Sequence, residues 1–119
     1  MNKVIPILCI DLKKNRIRIH KQTLHLLGDP EYIQLLVNPQ SGTIAIRRSF
    51  SEDYLAHRIK AEHLTDGNSY ELYSRELIQT LRTLNTNYEN NKSYRIYGNF
   101  NTKSNVACFD MCNMKEVSS

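Results

Sequence analysis

The 119-residue chain is 40% hydrophobic and 24% charged, with only four glycines and three prolines, a balance that belongs to folded proteins and excludes a disordered or collagen-like chain. The length fits one domain, or two half-domains sharing a core, and no apolar run approaches the ~20 residues of a membrane-crossing helix. The net charge of +4 is unevenly placed: residues 1–60 hold ten Lys and Arg against five Asp and Glu, and residues 61–119 hold six against seven.

The opening MNKVIPILCIDL lacks a small-residue cleavage site and reads as a strand, not as a signal peptide. Residues 4–12 are apolar and rich in β-branched side chains, residues 13–15 form a polar break, and residues 16–20 alternate Arg, Ile, Arg, Ile, His. That is the pattern of a β-hairpin. Successive strand side chains point in opposite directions, so Ile17 and Ile19 should face a core while Arg16, Arg18 and His20 face away. Leu24 and Leu27 then stand at helical spacing, with Gly28 placed for a left-handed C-terminal cap and Pro30 forbidding continuation. Residues 32–37 and 43–48, the latter alternating through Ile44 and Ile46, flank the turn-forming Asn38-Pro39-Gln40-Ser41-Gly42 as a second hairpin.

The same order recurs further on. Residues 57–64 can be extended, Thr65-Asp66-Gly67-Asn68 holds the Asp-Gly dipeptide of tight hairpins, and residues 69–73 set Tyr70 and Leu72 against Glu71 and Tyr73. Leu77, Ile78, Leu81 and Leu84 predict a helix over 74–84 with Ser74 as its N-cap. Residues 94–97 and 106–111 then flank the polar stretch 99–105 as a last hairpin. Shifting RIRIHKQTL by 53 positions lands it on SYELYSREL, with apolar positions coinciding. The expected fold is mainly β with short helices, an α+β chain of two β-hairpin–helix–β-hairpin halves at 1–48 and 57–112, joined by a connector at 49–56 and followed by a frayed tail at 113–119. Because Ser49 and Glu52 also match a capping box, residues 52–63 read equally as a helix. The Asn-rich stretch 85–91 reads as a surface loop.

The segment RIRIHKQTLHLLGDPEYIQLLVNPQSGTIAIRR resembles the DNA-binding hairpin domain of the AbrB, SpoVT and MraZ transition-state regulators. The resemblance rests on Arg16 with Ile17 and Ile19, residues 24–28 ending in Leu-Gly, the strand 33–37, and the Ile-rich strand ending in Arg47 and Arg48. It covers about 45 residues, and the duplication makes the tandem, MraZ-like arrangement the most similar. It implies a swapped-hairpin barrel made by both halves, a cytoplasmic regulator that binds double-stranded DNA, and a homo-oligomer. The chain has Asn15 and His20 where that family usually has Gly and Pro, and Glu71 where the first half has Arg18.

Lys13, Lys14, Arg16, Arg18 and Lys21 crowd into nine residues without an acid, and cations in that density neutralise phosphates and release counterions. With Arg47 and Arg48 they form the candidate DNA-binding set, set against the plain alternative of a solvated strand face. A second reading is a protein-interaction or oligomerisation module of the same fold, using the Tyr-rich second half. Cys9, Cys108 and Cys112 are odd in number with no CxxC pair, which favours a reducing cytoplasm over a disulfide framework. Cys108 and Cys112 with His57 and His63 do not have the spacing of a common zinc motif. No His has a Ser, Cys or carboxylate partner at a recognised spacing, and no phosphate-binding Gly loop, HExxH or GxSxG occurs, so neither a cofactor nor an enzyme is expected.

Overall fold

The first hairpin follows from its local pattern. In the computed structural model, which describes residues 4–59, 64–65, 69–84 and 92–117, β1 (Ile7–Asp11) and β2 (Arg16–His20) pair antiparallel, Leu8 opposite Ile19 and Ile10 opposite Ile17. All four of these side chains are fully buried. The turn between the strands is set by Asp11, whose Oδ1 accepts the amides of Lys13 and Lys14 before Asn15 takes φ 51°. Asn38 does the same for Gln40 and Ser41 ahead of Gly42, and Asn101 for Lys103 and Ser104 ahead of Asn105. Among the described residues one turn is thus used three times, each with Asp or Asn accepting two amides and Asn or Gly supplying the left-handed residue.

Helix α1 (Lys21–Leu26) follows β2 directly. Leu24 and Leu27 turn into the core, and the buried Thr23 hydroxyl accepts the Ile7 amide at 3.0 Å, pinning the helix to the start of β1. The helix ends as the sequence implies: Asp29 donates its amide to the Leu24 carbonyl across Gly28 at φ 83°. The second hairpin, β3 (Tyr32–Asn38) and β4 (Thr43–Ser49), sets Leu35 opposite Ile46 and Val37 opposite Ile44. Next come β5 (His57–Arg58), β6 (Leu64–Thr65), β7 (Ser69–Tyr73) and α2 (Arg75–Leu84). Ser74 caps α2 by accepting the Leu77 amide, and Ile78 and Leu81 are its buried residues. The chain continues through β8 (Ser93–Tyr97), β9 (Asn99–Asn101), β10 (Val106–Asp110), a 3-10 turn at Met111–Asn113 and β11 (Lys115–Val117).

The protein is mainly β, with two short α-helices and two antiparallel sheets among the described residues. The larger sheet runs β11-β8-β1-β2-β7-β6 and the smaller β5-β3-β4-β10-β9. Their inner faces share one buried cluster that includes Ile10, Ile17, Tyr70 and Ile96 from the larger sheet and Ile33, Ile46 and Phe109 from the smaller. Among the described residues the sheets remain open at β11, β6, β5 and β9 and do not close into a barrel.

A pairing in each sheet joins strands far apart in the sequence. In the larger sheet β2 and β7 meet with Arg18 opposite Glu71, residues 53 positions apart. In the smaller sheet β4 and β10 meet with Ala45 opposite Cys108, 63 positions apart. Asn38 and Asn101, which open equivalent turns, are also 63 apart. The hairpins β1–β2 and β3–β4 lie in different sheets, and so do the pairs β6–β7 and β9–β10.

Four expectations about the second half are corrected. Residues 52–59 contain no helix, because Asp53 turns back to accept from Ser49 Oγ and the Phe50 amide, closing a loop. His57 and Arg58 do not join the hairpin with β7: they lie beside β3 in the other sheet, and among the described residues of 57–65 it is Leu64 and Thr65 that pair with β7. Residues 94–97 and 106–111 do not form one hairpin either. β8 pairs with β1 in the larger sheet, and the chain crosses at Gly98 into β9, the actual partner of β10. A Cβ on Gly98 would lie 2.4 Å from the Cys108 carbonyl and 2.6 Å from the Phe109 ring, which explains why only glycine fits at the crossing. The tail is not frayed over its whole length, since β11 pairs with β8. His63, the Asp66-Gly67 turn and residues 85–91 lie outside the described residues.

Candidate nucleic-acid interface

With Ile17 and Ile19 buried, alternation places Arg16 and Arg18 on the outer face of the larger sheet. Lys13 and Lys14 are exposed at the tip of the same hairpin. The stripe is free of acids in sequence but not in space. Arg16 Nη2 lies 2.8 Å from Asp11 Oδ2 and its Nη1 lies 3.5 Å from Glu71 Oε1. Arg18 Nη2 lies 3.4 Å from that same Glu71 oxygen. Register is the cause, because Asp11 is the cross-strand partner of Arg16 and Glu71 that of Arg18.

Burial separates the two arginines. The Arg16 side chain is 12% exposed and that of Arg18 42%. Burial works against the charge of Arg16, but hydrogen bonds to Asp11 and Tyr73 and the field of Glu71 together raise its pKa above the ordinary arginine value. Burial opposes the Asp11 charge too, yet the Arg16 hydrogen bond, with the Lys14 and Lys13 amides and the Arg16 charge, brings its carboxyl below the usual range. Arg16 is thus a structural cation, whereas Arg18 retains a surface to offer.

The other predicted cations are dispersed. Lys21 opens α1, exposed. Arg48 sits beside Gly28 at the other end of that helix. Arg47 stands on the outer face of the smaller sheet, its Nε and Nη2 both donating to Gln34 Oε1 at 2.9 and 2.7 Å. The two sheets share a core through their inner faces, so Arg47 and Arg18 point away from each other.

Sequence reasoning missed Arg95 and Lys115. Cys9 of β1 has Arg18 on one side and Arg95 on the other, and Lys115 of β11 lies opposite Arg95. One cross-strand row therefore reads Arg18, Cys9, Arg95, Lys115. Among the described residues neither Arg95 nor Lys115 has a carboxylate partner, and hydrogen bonds to the Tyr97 and Cys9 side chains raise the Arg95 pKa further. The alternation of SYRIY marks Arg95 as outward-facing, but nothing local shows that β8 docks on β1.

Among the described residues no three His, Cys, Asp or Glu side chains converge as a metal site, and no helix is long and apolar enough to cross a membrane. All three cysteines are free thiols. Shallow depressions occur beside Cys112, lined by Tyr97, Asn113, Met114 and Lys115, and beside Cys108, lined by Asn99, Phe100, Asn101, Thr102 and Lys103. Compared with protein-family models, with curated proteins and with solved structures, the chain matches none of them.

Proposed function

We propose that this chain is a cytoplasmic, DNA-binding transcriptional regulator of the AbrB and MraZ kind, its halves interlocked as swapped hairpins and its duplex contact made by the outer face of the larger sheet. The observation that carries the reading is the row Arg18, Arg95, Lys115, with Lys13 and Lys14 at the adjoining hairpin tip. Three inter-strand steps of about 4.8 Å separate Arg18 from Lys115, roughly 14 Å in all. That span is comparable to the ~12 Å major groove, so cations at the two ends reach phosphates on opposite walls. Such contacts position a protein on the duplex, while base readout requires side chains at groove edges.

Fluorescence anisotropy with a labelled random-sequence duplex, titrated at several salt concentrations, tests the reading. Each phosphate contact contributes about 0.9 to the slope of log affinity against log salt, so the Arg95→Ala/Lys115→Ala double variant should flatten the slope by nearly two units. Lys103→Ala, in the exposed turn of the other sheet, should leave it unchanged. Salt-insensitive binding by the parent, or an unaltered slope in the folded double variant, refutes the proposal. The interaction-module reading has its own support in exposed apolar side chains on the opposite side of the molecule.

A further inference from the structure

Phe50, Tyr54 and Leu55 occupy a loop that is held in place yet presents apolar side chains to solvent. Asp53 accepts from Ser49 Oγ at 2.8 Å and from the Phe50 amide at 2.9 Å, and Ala56 donates its amide back to the Asp53 carbonyl. Leu55 adopts φ 56°, a left-handed conformation that leucine rarely takes. Despite this ordering, Phe50 is 71% exposed, Tyr54 81% and Leu55 62%.

The loop adjoins the outer face of the smaller sheet. Gln34 Nε2 donates to the Tyr54 carbonyl at 2.7 Å, so the loop lies against the outer face of β3. Beside Gln34 on that face stands Leu36, 40% exposed, and its row continues through Ala45 to Cys108. Val106 flanks the row. Projecting rings thus adjoin a strip of mostly small apolar side chains.

We propose that this face joins two copies of the chain about a two-fold axis, the Phe50 and Tyr54 rings of each resting on the Leu36, Ala45 and Cys108 strip of the other. A two-fold interface requires a surface that complements itself, and projection beside shelf supplies it. Charge selects the same occupant. Arg47, Arg58 and Lys103 are balanced on this side by Glu52, Asp53 and Asp110, whereas the opposite face of the molecule has an excess of cations. A balanced face meets its own copy without repulsion and offers a polyanion nothing.

The area is sufficient. At roughly 200 Å² per aromatic side chain, the two exposed rings supply about 300 Å² per copy. The five strands of this sheet, from two to seven residues long, together present a shelf of roughly 400 Å². Two copies together therefore bury on the order of 1,400 Å², within the range of about 1,200–2,000 Å² typical of stable complexes. The proposal is independent of the DNA reading, since it uses the other sheet.

Sedimentation equilibrium of the full chain, from micromolar to sub-millimolar concentration, tests it. The parent should approach twice 13.9 kDa. Phe50→Ser/Tyr54→Ser and, separately, Leu36→Lys should each weaken association by about thirtyfold or more, the scale of an interface hot spot. Val4→Ser, at an exposed position outside this face, should not alter it. Mixing the ring variant with the shelf variant restores one ring-on-shelf contact, so the mixture should associate more tightly than either variant alone. Circular dichroism establishes that each variant folds, and the shelf variant stands alone should the ring variant fail. A parent that stays monomeric throughout, a dimer that survives both variants, or a mixture no tighter than its components overturns the proposal.

Discussion

Glu71 lies on β7, beside β2 in the larger sheet, and the structure ranks its ion pairs with Arg16 and Arg18 by burial. Its Oε1 is 3.5 Å from Arg16 Nη1 and 3.4 Å from Arg18 Nη2, so distance does not distinguish them. Coulomb attraction for unit charges about 4 Å apart is about 4 kcal/mol at an effective dielectric constant near 20, before desolvation is subtracted. Arg18, at 42% exposure, exchanges with water and ions, which reduces its pair with Glu71 to about 0–1 kcal/mol. Arg16 and Glu71 are each 12% exposed, so losing Glu71 leaves a largely buried guanidinium with Asp11 as its remaining carboxylate. Retention of Asp11 keeps the cost of Glu71→Gln below the roughly 3–5 kcal/mol of a fully orphaned buried charge, at about 1–3 kcal/mol. Arg18→Gln should cost under about 1 kcal/mol. Urea unfolding of the parent, Arg16→Gln, Arg18→Gln, Glu71→Gln and the paired variants gives two double-mutant cycles. Coupling between Arg16 and Glu71 should exceed that between Arg18 and Glu71. The opposite order, or a Glu71→Gln effect below about 0.5 kcal/mol, would show that burial does not govern this network.

Gly98→Ala should destabilise by about 1–3 kcal/mol, because the new methyl meets the Cys108 backbone carbonyl, which cannot swing aside as a side-chain tip would. Thermal unfolding measures it, and an unchanged midpoint would mean that the strand crossing is looser than its geometry. His57 is half-buried, and burial lowers its pKa from the ordinary 6.5. The unfolded chain then takes up the proton first as pH falls, so stability should decline as pH drops through 6.5 towards the lower folded value, and this residue adds no further loss beneath it. Unfolding free energies from pH 7.5 down to about 5 should show that decline in the parent and a smaller one in His57→Gln, and identical slopes would refute the assignment.

The sequence alone determined what depends on neighbours within a few residues. Alternation in RIRIH put Ile17 and Ile19 inside, the Leu24 and Leu27 spacing with Gly28 bounded α1, and Ser74 with the following leucines bounded α2. Backbone sterics and the period of each element act over that range, so they leave a readable mark. Arg18 and Glu71, 53 positions apart, stand face to face in the structure. Partnership between distant strands was not legible. Asp-capped closure of the loop after β4 displaced the helix that Ser49 and Glu52 allowed, and β8 joined β1 because Tyr94 and Ile96 extend the buried face that Leu8 and Ile10 begin. The candidate interface changed for the same reason. A run of cations in sequence fixes only which side chains share a strand face, whereas neutralisation by Glu71 and extension by Arg95 and Lys115 depend on cross-strand register, which the packing of the shared core sets.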